Sequence, residues 1–367
     1  MPSHTGFESN LRPTVRELFI ELTSNCNLRC RHCAINLPGY IARDMASRHV
    51  DQVVAFVERT AVPVVSVNAH GETTQFNNWV ETCERLRAAG AQLNIVSNFA
   101  RYFNEREVAA LAAFEGIRIS LESVDRDLLR DLRRHVDLRI VLHNLTRIRA
   151  HALVEYGRIP LFGINCVVSD LNVLALPDVA AFAAANGFAD LALHDLAELT
   201  GLPDDRPRHI LSLPPERLAK ALDSLRATAK LAARLGLRLN AQSNLVHYVE
   251  EHGKMRQELN QATYFKNDAP LLIMPTPVAP GMTRNCLDPW RVAKIAEDGA
   301  VMTCCIGRTP IGHLDDGSLE RVFQGKALQM RRNELLSGNL CDECLACPVR
   351  APVPVAELRA KLSAMVE

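Results

Sequence analysis

Residues 17–33 decide the fold. Glu17-Leu-Phe-Ile-Glu-Leu22 is a short apolar run, Thr23-Ser-Asn25 ends it, and Cys26-Asn-Leu-Arg-Cys30-Arg-His-Cys33 follows at once. Here a strand empties into a loop of three cysteines spaced C-x3-C-x2-C. Strand C-termini are where open parallel sheets and α/β barrels bind their ligands. Three thiolates on one tight loop hold three irons of a four-iron cube and leave the last iron open. Zinc is the alternative, with His32 as its fourth ligand.

Working outward, strands are expected at Val62–Asn68, Gln92–Ser97, Ile117–Leu121, Ile159–Val168 and Asp190–His194. Helical periodicity fills the gaps at 47–60, 76–89, 104–113, 125–135 with 138–156, and 173–186. Strand alternating with helix predicts an α/β chain with a parallel sheet and crossover helices. Several of these strands end in polar residues: His70-Gly-Glu72, Ser97-Asn98, Ser120-Leu-Glu122 and His194-Asp195. A helix is expected over 215–235 and a strand over Leu237–Ala241, then a helix over 244–262 and an irregular connector over Lys266–Met282. His247 and His252 are five apart, so they do not share a helix face as a metalloprotease pair does. A last helix is expected over 354–365.

The chain has 367 residues, 42 Lys+Arg against 42 Asp+Glu, 48% hydrophobic and 23% charged residues. Zero net charge argues against a non-specific nucleic-acid binder, which lives on phosphate neutralisation. No apolar run reaches the length of a membrane-spanning helix, and Met1–Val15 has no signal-peptide core. The eleven cysteines are an odd number and fall in clusters, so they read as metal ligands in a reducing, cytoplasmic compartment rather than as disulfides.

The C-x3-C-x2-C loop after strand one resembles the signature of the radical S-adenosylmethionine (radical SAM) enzymes. The resemblance implies a partial (β/α)6 TIM-like barrel. It also implies a [4Fe–4S] cluster on Cys26, Cys30 and Cys33, with S-adenosylmethionine on the open iron. The family's 5′-deoxyadenosyl radical would then take a hydrogen atom from the substrate. His70-Gly71-Glu72-Thr73 stands where relatives usually have Gly-Gly-Glu-Pro; Gly71, Glu72 and Thr73 would face the methionine ammonium. Ser97-Asn98 stands where relatives often have Thr-Asn-Gly, and Ser120-Leu-Glu122 where they read Ser-Leu-Asp. On that pattern Asn98 binds cofactor, Ser120 and Glu122 suit a ribose, and Arg133, or its neighbour Arg134, pairs with the methionine carboxylate. Asn165 and Asn172 also fit.

Farther on, Cys286 precedes Gly299 and Cys304, and Cys341-x2-Cys344-x2-Cys347 follows. Asp298-Gly299 reads as a hairpin turn between Arg291–Ala296 and Val301–Thr303, which brings Cys286 and Cys304 together. This resembles the C-terminal SPASM or shorter twitch domain of the family and implies one auxiliary [4Fe–4S] cluster on Cys286, Cys304, Cys341 and Cys344. Zinc held by four cysteines is the alternative. Cys305 and Cys347 are left over; either could take its neighbour's place as ligand, or simply pack.

The implied organisation is an extension over 1–15, the barrel over 16–235, a connector over 236–285, the auxiliary domain over 286–350 and a terminal helix over 351–367. About 15 residues precede strand one, too few for an N-terminal peptide-recognition domain, so a small-molecule substrate is expected. The favoured reading is oxidation, epimerisation, dehydration or decarboxylation of a sugar, aminocyclitol or nucleoside in antibiotic biosynthesis. It would draw electrons from a flavodoxin- or ferredoxin-type donor. Cys166, Cys305 and Cys347 are candidate hydrogen donors, and His194 and Asp195 candidate acid–base groups. A ribosomal-peptide maturase keeps the chemistry and changes the substrate. A zinc or iron–sulfur binding protein drops the chemistry altogether.

Overall fold

The computed structural model describes residues 15–365 except 69, 198, 200, 243–244, 247–248, 250–276, 305–308 and 348. The expected 244–262 helix with its two histidines, most of the connector, most of the N-terminal extension, and Cys305 lie wholly or largely outside the described residues.

Seven strands alternate with helices. They are β1 (Glu17–Ile20), β2 (Val64–Ser66), β3 (Gln92–Ser97), β4 (Gly116–Ser120), β5 (Leu161–Val168), β6 (Asp190–Asp195) and β7 (Arg238–Ala241). Each pairs in parallel with the next. The helices are α1 (Ser47–Thr60), α2 (Trp79–Ala88), α3 (Glu105–Ala112), α4 (Arg126–Arg133), α5 (Leu138–Tyr156), α6 (Leu176–Ala185) and α7 (Pro215–Arg234). Helix α1 forms because Val50, Val53, Phe56 and Val57 recur at helical spacing and bury one stripe. In α3, Asn104 and Glu107 make a reciprocal capping box that satisfies free amides at the start.

The hairpin after Cys286 forms as expected, from β9 (Val292–Ile295) and β10 (Ala300–Met302); β8 (Met282–Arg284) precedes it. Its position was not foreseen. Strand β9 lies parallel to β1, with Phe19 opposite Lys294, so the C-terminal segment continues the main sheet. The ten-strand order is β11-β10-β9-β1-β2-β3-β4-β5-β6-β7, with β11 at Gly312–His313. β8 pairs separately with β12 (Pro352–Pro354).

Strand parity sets the two faces. Leu18, Ile20, Ile119, Ala293 and Ile295 are at most 1% exposed and pack in the core. Glu17, Phe19, Arg118, Asn165, His194 and Lys294 instead line a cavity of about 660 Å³. Residues from β9 and β1 through to the edge strand β7 line it, so the sheet curls into an open, partial barrel. Strands buried on both faces would be apolar throughout. These are not, because one face meets a polar lumen.

Within the lumen Arg118 makes a two-pronged pair with Asp190, at 2.8 Å on each arm, and Arg238 shares the same carboxylate at 2.9 Å. Gly163 leaves room for it. A Cβ there would stand 2.4 Å from Asp190 Oδ1 and 3.1 Å from Arg118. Gly163→Ala should therefore destabilise the fold by about 1–3 kcal/mol, the usual cost of overpacking. A urea midpoint equal to wild type would show that the pair moves aside freely.

Candidate cofactor and cluster site

The first cysteine loop leaves β1 and is tied down at several points. Ser24 N–H donates to Arg43 O at 2.8 Å, Glu72 N–H to Asn25 O at 2.8 Å and Arg31 N–H to Leu132 O at 2.9 Å. Asn36 Nδ2 holds Cys30 O at 2.5 Å. Cys30 is buried, Cys26 and Cys33 half-buried, and the three thiols feel one another's charge. Burial pushes Cys26 up to about 11 and Cys30 up to about 12, with Arg133 opposing. As thiolates they need a cationic centre between them, which a cluster supplies. Three soft donors on one pinned loop fit a three-thiolate cluster. Among the described residues no trio of His, Cys, Asp or Glu is grouped so as to hold a single metal ion.

Gly71 is where the β2 loop presses against the cysteine loop. A Cβ there would lie 2.2 Å from Thr23 O and 2.7 Å from Asn25 O, so only glycine permits this approach. Glu72 corrects an expectation. Its buried carboxylate accepts from Thr74 Oγ1 at 3.0 Å, Ser97 Oγ at 2.8 Å and Asn98 N–H at 2.8 Å. It braces the end of β2 against the end of β3 instead of standing open to an ammonium. Asn98 passes the brace on: its Nδ2 reaches Asn27 Oδ1 at 2.9 Å and Cys26 Sγ at 3.8 Å. Thr73 Oγ1 is likewise turned inward, donating to Val67 O at 2.6 Å.

Glu122 and Arg133 are a second departure. The sequence reading sends one to a ribose and the other to a carboxylate. The structure pairs them, through Arg133 Nη2 to Glu122 Oε1 at 2.7 Å and a second contact from Nε to Oε2. Glu122 is 1% and Arg133 7% exposed. Burial pushes the Glu122 carboxyl up, but Arg133's charge and hydrogen bonds outweigh it and hold the carboxyl below its ordinary value. Arg133 Nη1 also stands 3.8 Å from Cys30 Sγ, so the pair abuts the cysteine loop. Arg134 turns outward to Asp205 at 2.9 Å. Asn172 Nδ2 secures Glu122 O at 3.0 Å. Ser120 is half-buried at the end of β4, in register with Asn165.

Along the lumen wall, His194 has a defined tautomer. Asp195 N–H donates to Gln242 Oε1 at 2.8 Å. The amide's Nε2 therefore faces His194 Nδ1, at 3.2 Å, as donor. The ring hydrogen is left on Nε2, which is buried and without a partner among the described residues. Burial, then Arg118's charge, lowers the His194 pKa, which keeps the ring neutral. Asp195 faces the other way and pairs with His209 at 2.9 Å. Cys166 is a correction. It adjoins Asn165 on β5, so parity points it away from the lumen, into contact with Asn172 Nδ2 at 3.6 Å and Glu122 O at 3.9 Å. It is not placed to give hydrogen to a molecule in the lumen. Arg118, Asp190, Lys294 and Glu21 were missed. The available signal was a charge inside an apolar strand, as in Ile117-Arg-Ile119 and Val292-Ala-Lys-Ile295.

Four of the C-terminal cysteines line a smaller cavity. Cys286, Cys304, Cys344 and Cys347 line it, with Arg284, Arg331 and Glu343. Cys341, expected as a ligand, is not among the lining residues but adjoins Cys344, and Arg331 Nη1 contacts both thiols. Arg284 is 1% exposed and clamps the loop through Cys344 O at 2.9 Å, Arg350 O at 3.1 Å and Leu345 O at 2.5 Å. Burial pushes Cys286 well up and Cys344 up to about 12, so here too a cationic group would have to draw off the protons. Four soft donors around one cavity fit a closed cluster.

Comparison with known proteins agrees with this geometry. The Radical SAM superfamily model matches residues 20–165, and the SPASM iron–sulfur cluster-binding domain model matches residues 286–348. A "Probable GTP 3',8-cyclase" from Pyrococcus abyssi is 28% identical over 114 residues, 30% of this chain and 36% of that protein. A "Tungsten-containing aldehyde ferredoxin oxidoreductase cofactor-modifying protein" from Pyrococcus furiosus is 24% identical over 197 residues, 51% of this chain and 53% of that one. The chain thus spans between about a third and about a half of these curated relatives. Among solved structures, Streptococcus suis SuiB bound to S-adenosylmethionine superposes with a TM-score of 0.60 at 14% identity, over 91% of this chain and 72% of that one. Native anSMEcpe with bound AdoMet gives 0.59 at 17%, over 90% and 86%. At such identities the likeness is one of fold.

Proposed function

Because the chain belongs to the radical SAM superfamily and carries a SPASM iron–sulfur domain, we propose that it is a radical SAM enzyme acting on a small polar molecule held in the barrel lumen, a sugar, aminocyclitol or nucleoside. The polar cavity of about 660 Å³ carries this reading. Its size suits one such molecule, and Arg118, Asp190, Asn165, His194 and Lys294 set hydrogen-bonding and charged groups among its apolar wall residues. With its cluster and S-adenosylmethionine bound, such a site supplies a 5′-deoxyadenosyl radical. The chain's own residues do the rest. Cys26, Cys30 and Cys33 hold the cluster. Gly71 lets the β2 loop close on the cysteine loop, and Glu72 with Asn98 keeps that loop in place. The Glu122–Arg133 pair backs it from the other side. His194 and Asn165 present polar groups to the substrate. Cys286, Cys304, Cys344 and Cys347 hold the auxiliary cluster, in reach of an electron-transfer role with an external flavodoxin- or ferredoxin-type donor.

Anaerobic reconstitution, iron and sulfide counts and an assay for 5′-deoxyadenosine with dithionite test the proposal. About eight irons, two four-iron clusters, are expected. Cys347→Ser should lower the count to about four while Cys341→Ser leaves about eight. The reverse pattern would restore the ligand set read from the sequence. Zinc in place of iron, with no 5′-deoxyadenosine, would overturn the enzyme.

A further inference from the structure

The lumen contains a buried ammonium, on Lys294, that makes no hydrogen bond to a described residue and has one long ion-pair contact. Lys294 sits on β9, the strand that the C-terminal segment adds beside β1. Parity turns Ala293 and Ile295 into the core and Lys294 into the cavity. Its side chain is 7% exposed. The carboxylate nearest to it, on Glu21, is 4.0 Å away, beyond hydrogen-bonding length. Glu21 is itself engaged, accepting from His70 N–H at 2.8 Å and facing His70 Nδ1 at 3.2 Å. Along the same wall His194 Nε2–H has no partner among the described residues. Buried donors are normally satisfied. At 4.0 Å Glu21 offsets the charge of the ammonium but leaves its N–H donors open to a closer oxyanion.

From this juxtaposition we infer that Lys294 anchors an oxyanion of the substrate, a carboxylate or phosphate, inside the lumen. The auxiliary domain would then supply a residue that selects substrate, besides a cluster. The inference rests on the function proposed above and narrows it: the sugar, aminocyclitol or nucleoside is an anionic one. Glu21 acts as the competing charge that keeps Lys294 from being filled by chance.

The test is calorimetric titration of reconstituted protein with inorganic phosphate and, separately, with acetate, each with and without saturating S-adenosylmethionine. Saturable binding of one probe names the source of the oxyanion. Lys294→Met should weaken it about tenfold or more, the worth of a charge-assisted hydrogen bond. Glu21→Gln, which keeps an acceptor for His70 and removes the competing charge, should tighten it. A merely structural ion pair would not move in these opposite directions. If Lys294→Met does not fold, Lys294→Gln and Glu21→Gln carry the test. Equal affinity in wild type and variant would mean an adventitious ion only, and would overturn the inference. So would loss of probe binding on adding S-adenosylmethionine, since the anion site would then be the cofactor's. No probe binding by a wild-type protein that makes 5′-deoxyadenosine sinks the inference alone. No 5′-deoxyadenosine from wild type sinks the function it rests on.

Discussion

Glu122→Ala should cost about 3–5 kcal/mol of stability, the penalty for leaving one partner of a buried ion pair uncompensated. Arg133 is 7% exposed and its guanidinium has both of its carboxylate contacts on Glu122. Removing that carboxylate strands a cation beside the thiols of the cysteine loop, with Cys30 Sγ at 3.8 Å. Equilibrium urea unfolding measures it. Glu122→Gln should fall between, since an amide oxygen still accepts but carries no charge. A midpoint shift within that of an ordinary surface substitution would show that Arg133 finds another partner or water. The pH dependence has a definite sign. The Glu122 carboxyl is held below its ordinary value in the fold, so its contribution is present above the unfolded carboxylate pKa. It is lost as pH falls through the lower, folded value. The wild-type advantage over Glu122→Gln should therefore be full at neutral pH and shrink in acid.

Cys30→Ala should reduce 5′-deoxyadenosine formation to background and remove about four irons. Cys30 is the buried member of the first cysteine loop, and its neighbours are pinned through Arg31 to Leu132 and through Asn36 to its own carbonyl. Two remaining thiolates cannot enclose a cube whose other side is left for cofactor. The control is Cys83→Ala. Cys83 is 1% exposed on α2 and packs in the core, so losing its sulfur should cost some stability but leave iron and product unchanged. Iron retained in Cys30→Ala, or lost equally in Cys83→Ala, would break the assignment of the first cluster.

Much of this was legible because it is local. Helices α1 and α5 and strand β3 occupy the ranges their periodicity predicts, since side-chain spacing and neighbour sterics set them within a few residues. The first three cysteines fall together for the same reason: one short loop carries all of them. The pairing of Glu122 with Arg133 was harder, because two polar residues at strand and helix ends look equally free until the chain is closed. Cys166 and Asn165 show a limit of the reading itself: adjacent strand residues face opposite sides, so both could not enter the lumen.

By itself, then, the sequence determined the alternation of elements, the cysteine loop and the hairpin with its thiols, all short-range patterns. Only the tertiary structure decided which surfaces meet. Strand β9 pairs with β1 across more than half the chain and carries Lys294 into the lumen. Cys286, Cys304, Cys344 and Cys347 come to line one cavity. Such contacts depend on how the whole sheet curls and where Arg284 clamps the last loop. No local spacing encodes them, because they arise from packing between segments that come together only when the core closes.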